Sequence, residues 1–298
     1  MTPALPPDRA PIVIVGLARS GTTIMMNLLS FSSEVHGETE PHLLWKSGDF
    51  ATLADTDHVP SPPIRHHIRQ TLLNRAGTKR LVEKSPPNAL RPNLVHSVFP
   101  DAKIILMDRD PIALVKSNLA RSQRQQPLSP THLRHKYFSR KRRAGARMTA
   151  PESRLYVTEQ IRAADYALFG LYVTRLVLLL QRGRLPFGPR LADFDAMVRD
   201  RGLLDYHVEV LAAWRRQRAV FETLYGPNVL HVSLEALAER SRETLTRVTR
   251  FCGLSVEAMR AERALGDLDS ERVRERAPGP LETEIGRALA ARGFDVAG

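Results

Sequence analysis

The chain has 298 residues, 43% hydrophobic and 26% charged, the balance of an ordinary globular protein rather than a disordered or low-complexity one. At this length a fold buries a sizeable core without a metal or disulfide staple, and the single cysteine, Cys252, excludes an internal disulfide framework. A formal net charge of +12, with Arg far outnumbering Lys, favours an anionic partner: nucleic acid, a membrane surface, a polyanionic glycan or a phosphorylated cofactor.

Met1 to Ala10 holds three prolines and no basic start, so no signal peptide is expected. Residues 11 to 16, Pro-Ile-Val-Ile-Val-Gly, read as a short buried parallel strand. A polar loop from Leu17 to Thr23 follows, then a helical pattern from Ile24 to Phe31. Glu34 to His42 reads as polar and turn-like, and Phe50 to Pro63 as loop. Arg80 to Lys84 is a strand stopped by Ser85-Pro86-Pro87, and a helix is expected from Asn88 or Ala89 to Val98. Lys103 to Met107 is a further strand. Asp110-Pro111 opens a helix running to about Arg124, with Asp as the cap and Pro in the first turn. Strand, loop and helix thus recur three times, which predicts an open α/β sheet of mainly parallel strands.

The character changes at residue 125. Arg134 to Arg147 is densely basic and reads as a solvated face. Residues 153 to 225 read mainly as helix, split at Gly183 to Pro189. Asn228 to Val232 is a last strand, Leu234 to Phe251 a helix, and Leu281 to Arg292 a final helix. Cys252, between Phe251 and Gly253-Leu254, reads as a buried thiol in a reducing compartment. No run reaches the roughly 18 apolar residues of a membrane span. The best, Tyr166 to Leu180, is interrupted by Arg175. The expectation is one domain over 1–298 with 125–227 as a mainly helical, acceptor-specific insertion, cytoplasmic and without stable membrane insertion.

The sharpest chemistry lies in Gly16-Leu17-Ala18-Arg19-Ser20-Gly21-Thr22-Thr23, between a strand and a helix. Glycines allow a tight turn whose amides converge on an anion, and the helix start adds orphan N–H groups. Arg19, Ser20, Thr22 and Thr23 supply side-chain donors. The Lys of a Walker A loop is missing, since Thr22 follows Gly21.

This string resembles the 5′-phosphosulfate loop of the PAPS-dependent sulfotransferase family, and in particular its bacterial and tyrosylprotein branches. Residues 103 to 121 are similar to the family's 3′-phosphate motif, where an Arg at a strand end and a Ser eight residues later grip the nucleotide; Arg109 and Ser117 have that spacing. Arg121 matches a phosphate-binding Arg of the tyrosylprotein branch. Val82 to Asn88 resembles a Lys-containing strand end, which makes Lys84 the cation on the transferring group. The resemblance covers 11 to 124 well and 228 to 254 loosely. It implies a P-loop-like three-layer fold, PAPS as donor and PAP as product, with residues 18 to 23 (Ala18, Arg19, Ser20, Gly21, Thr22, Thr23) on the 5′-phosphosulfate and no metal. It also implies a catalytic base in the stretch holding His36, Glu38 and Glu40, with Glu40 favoured.

Three further residues complete the candidate set. Arg274 and Arg276 are candidates for a loop closing over the 3′-phosphate, and Trp214 for an adenine stack or plain core. The acceptor is expected to be a small molecule or glycan rather than nucleic acid, and a homodimer is left open. The competing readings are a P-loop nucleotide kinase or phosphotransferase, which requires a Walker Lys and a Mg²⁺-binding acid, and a non-enzymatic polyanion binder, which leaves the two spaced phosphate motifs unexplained.

Overall fold

The structure is a computed structural model and describes residue 6 and residues 9–124, 160–255 and 279–295. Its centre is a five-stranded sheet in the order β2-β3-β1-β4-β5, every pairing parallel. The strands are β1 (Ile12–Val15), β2 (Val35–Thr39), β3 (Arg80–Lys84), β4 (Lys103–Asp108) and β5 (Val229–Ser233).

Because side chains alternate along a strand, each strand sorts its residues into two cores. Ile12, Ile14, Val82, Ile105, Met107 and Val232 face one layer. That layer holds α1 (Thr22–Leu29), the short α8 (Leu234–Glu239) and α9 (Ser241–Cys252). Val13, Val15, Leu81, Ile104 and Leu106 face the other. There lie α2 (His42–Trp45), α3 (Pro62–Ala76), α4 (Pro92–Val98), α5 (Pro111–Gln123), α6 (Tyr166–Gln181), α7 (Phe194–Tyr225) and α10 (Pro280–Ala290). The result is the expected three-layer α/β fold. Strands buried on both faces explain the unbroken β-branched runs in β1 and β4.

Several local expectations change. The stretch read as a turn, Glu34 to His42, contains edge strand β2, whose pairing sets Glu38 opposite Glu83 and Thr39 opposite Lys84. His36, Gly37 and Glu38 carry little apolar signal, so backbone pairing with β3 decides the strand. The loop read from Phe50 to Pro63 ends two residues early, where α3 starts with Pro62 and Pro63 in its first turn. The helix expected from Asn88 begins as a 3₁₀ turn, Pro86–Leu90, and becomes α-helical at Pro92. The helix after β5 breaks at Arg240 into α8 and α9. Asp110 caps α5 as expected, its Oδ1 accepting from the Ala113 amide at 2.6 Å.

Candidate functional site

The site lies at the C-terminal edge of the sheet, where open α/β folds bind ligands. β1 ends in the loop that leads to α1. Gly16 is required there by space: a Cβ would fall 2.6 Å from Ser20 Oγ and 2.7 Å from the Met107 carbonyl oxygen of β4. Gly21 has φ 91° and sits against Leu234. Ser20 is buried and turns inward, its Oγ donating to the Leu17 carbonyl at 2.8 Å. Its hydroxyl braces the loop, so any contact of Ser20 with an anion is left to its amide.

Two non-glycine residues among those described have left-handed backbone, Arg19 at φ 73° and Glu40 at φ 56°. Such a conformation costs on the order of 1–3 kcal/mol per residue and persists where the surroundings over-determine it, as at functional sites. Both outliers fall on residues singled out from the sequence.

Arg19 of the loop after β1 lies between Arg109 and Ser117 and links them. Arg19 Nε donates to Ser117 Oγ at 3.1 Å, and Arg109 donates to the Arg19 carbonyl oxygen at 3.0 Å. Burial pushes the Arg109 guanidinium down from its usual value, with the neighbouring Arg19 charge adding, against Glu235 and Asp110. Its buried Nε has no hydrogen-bond partner, an orphan donor at the mouth of the loop. Arg121, about one turn beyond Ser117, sets its guanidinium over the Phe187 ring, 5.6 Å from the centroid.

The second group forms on the other side of β1. Lys84, 1% exposed, donates from Nζ to Glu40 Oε1 at 2.6 Å and to Thr23 Oγ1 at 3.1 Å. The Glu40 amide donates to the Lys84 carbonyl oxygen at 2.7 Å, continuing the β2–β3 pairing past the strand end. His42 Nε2 lies 3.2 Å from Glu40 Oε2. Burial alone would raise the Glu40 carboxyl. The hydrogen bond and charge of His42, and then those of Lys84, outweigh burial and hold it well below the usual carboxylate range.

The other two base candidates lie elsewhere. His36 and Glu38 share one side of β2 and pair with each other, Nε2 to Oε1 at 2.8 Å, while Arg75 of α3 reaches the second Glu38 oxygen at 3.4 Å. That side faces α3, not Lys84. Trp214 is buried in α7 and donates to Asp108 Oδ1 at 3.3 Å, so it is core rather than an adenine platform. Asp108 is also bound by Arg218 at 2.6 Å. Among the described residues no cluster of three or more His, Cys, Asp or Glu is arranged to hold a metal. Arg274, Arg276 and the basic run 134–147 lie outside the described residues.

Two contributors escaped the sequence reading. His42, two residues past Glu40, was absorbed into a polar stretch. Asn118 donates to the Ala18 carbonyl at 2.9 Å and so ties α5 to the phosphate loop. An Asn in mid-helix, where it is a poor helix former, was the available signal.

A model of the sulfotransferase family matches residues 11–162, just over half of the chain. No curated protein sequence matches. Among solved structures, the sulfotransferase domain from the curacin biosynthetic pathway is similar at 14% identity, covering 99% of this chain and 100% of that one, with a TM-score of 0.55. The sulfotransferase domain from the Synechococcus PCC 7002 olefin synthase gives 14% identity, 100% and 98% coverage and a TM-score of 0.49. A mouse sulfotransferase complexed with PAP gives 12% identity, 97% and 84% coverage and a TM-score of 0.42. At these identities the likeness is one of fold, and the family model, whose matched segment includes the loop after β1, Lys84, Arg109 and Ser117, adds the rest: the chain belongs to the sulfotransferase family.

Proposed function

We propose that this sulfotransferase moves a sulfuryl group from PAPS to a hydroxyl or amine of a small-molecule or glycan acceptor by direct in-line transfer. The observation that carries the reading is the convergence of Glu40 and Thr23 on the Lys84 ammonium, beside the loop after β1. The orphan Nε of Arg109 beside Ser117 and Arg19 supports a second phosphate position, which a 3′,5′-bisphosphate nucleotide would fill and ATP would not.

PAPS supplies the activated group: its bond from sulfur to the 5′-phosphate oxygen breaks as the bond from sulfur to the acceptor forms. The amides and hydroxyls of residues 18 to 23 hold the 5′ end, and Arg109, Ser117 and Arg121 hold the 3′-phosphate. Lys84 offsets charge on the departing phosphate, and Glu40 takes the acceptor's proton.

In this structure Lys84 and Glu40 neutralise each other, and a carboxylate held so low is a poor base. An anion bound at the loop competes for Lys84. As the ammonium turns to it, Glu40 loses one of the partners that depress its pKa and becomes more basic. The ion pair therefore links base strength to donor occupancy.

Calorimetry with PAP, 5′-AMP and ATP tests the reading, on the wild type and on Arg109→Ala. The expected result is a preference for PAP that the substitution reduces about 10- to 100-fold, the loss of one hydrogen bond to a charged group. Equal or tighter binding of ATP would overturn the assignment of PAPS as donor and move the protein towards phosphoryl transfer.

A further inference from the structure

Helix α6 is apolar well beyond its inward face, with Thr174 and Arg175 as its exposed polar residues before Gln181. Its inward residues, Phe169, Tyr172, Leu176 and Leu180, belong to the core, with Phe169 and Tyr172 each 5.6 Å from the Phe50 ring, centroid to centroid. A helix docked on a sheet normally turns polar residues outward. Here Leu168, Leu171 and Leu178 are 42%, 44% and 45% exposed, and their spacing puts them in one outward stripe. By length and composition the run Ala163–Gln181 would suffice to cross a membrane, yet only 22% of its apolar window is buried. It cannot span while its inward side is part of the core, and among the described residues its outward leucines stay exposed.

The charges around the stripe identify a partner for it. No acidic residue occurs from Tyr166 to Arg184, whereas Arg175 and Arg182 are exposed beside the leucines; Arg175 spends one donor, Nη1, on the Ala51 carbonyl oxygen at 2.9 Å and keeps its others. A second copy docked through the same stripe would set arginine against arginine in a chain of net charge +12. An anionic surface accepts both the leucines and the arginines. We propose that α6 seats the protein on an anionic lipid bilayer, with Leu168, Leu171 and Leu178 entering the headgroup boundary and Arg175 and Arg182 meeting lipid phosphates. This is attachment in the plane of the interface, and it stands apart from the choice of sulfuryl donor.

The test is co-sedimentation of the full chain with phosphatidylcholine vesicles, alone and mixed with phosphatidylglycerol, for the wild type and the double variant Leu171→Glu/Leu178→Glu. The expected result is wild-type binding to the mixed vesicles that weakens with salt. In the double variant binding falls at least about tenfold, since two exposed leucines no longer leave water, while the melting temperature is unchanged. Three outcomes would overturn the proposal. One is equal binding by both proteins, which assigns the effect to net charge alone. Another is no wild-type binding to either vesicle. The third is a wild-type dimer in light scattering that the double variant dissolves, which assigns the stripe to a second copy.

Discussion

Glu83 and Lys84 are neighbours on one strand, both essentially without exposure, and their surroundings treat them in opposite ways. Lys84 turns to the α1 side and meets a carboxylate and a hydroxyl. Glu83 turns to the α2 and α4 side and meets neutral donors, Trp45 Nε1 at 2.8 Å and Asn88 Nδ2 at 3.3 Å. Burial pushes the Glu83 carboxyl up to about 7, against Ser85, Trp45, Lys84 and Arg91. One charge is thus kept, paired with Glu40 beside the loop after β1. The other is placed where the protonated form is favoured near neutral pH. A period-2 pleat sets an ion-paired group and one held by neutral donors on consecutive residues that face opposite layers.

The largest break in that comparison is Lys84→Met, which keeps bulk and removes charge. We expect kcat to fall about 10²- to 10³-fold, as when one preorganised donor to a developing anion is lost. Nucleotide affinity should change far less, and calorimetry beside steady-state rates separates the two. An unchanged kcat would remove Lys84 from the chemistry.

Glu83 makes its mark on stability. A carboxyl raised from 4.5 to about 7 in the fold binds more protons folded than unfolded, so stability falls as pH rises through that interval and levels off above it. The full effect is at most about 3 kcal/mol. Buried His207, pushed down to about 4, works in the opposite sense: stability falls as pH drops from 6.5 towards 4. The quantity to measure is therefore the wild-type minus Glu83→Gln difference in chemical denaturation across pH 5–8. A difference independent of pH would mean that Glu83 is ionised throughout.

Thr23→Val sharpens the Lys84 side with the smallest change. It removes one hydrogen bond to the ammonium, and we expect kcat to fall about tenfold or less, with melting unchanged, because the hydroxyl sits on an exposed residue.

The half of the site around β4 was readable because its signals are local. Arg109 and Ser117 stand eight residues apart on one strand end and one helix, and Asp110-Pro111 marks where that helix starts. The loop after β1 was readable for the same reason. What sequence left open was which acidic residue accompanies Lys84. That depends on β2 pairing with β3, between residues 45 apart in the chain, and on Glu40 adopting φ 56° after the strand. A polar edge strand has no hydrophobic alternation to announce it, so neither its existence nor the direction of Glu38 and His36 could be read. The burial of Trp214 is likewise a tertiary fact: its partner Asp108 belongs to a strand 106 residues away.

The strand order carries a consequence for how such a molecule can diverge. β1 stands between β3 and β4, so the Arg109–Ser117 group and the Lys84–Glu40 pair grow from opposite flanks of a shared axis. β2, which delivers Glu40, is the outermost strand on its flank and pairs with β3 alone. Its tip can drift, lengthen or tilt while the remaining four strands keep their register. Under the proposed function, a change at that tip would alter the proton acceptor and leave the flank proposed to hold the donor in place.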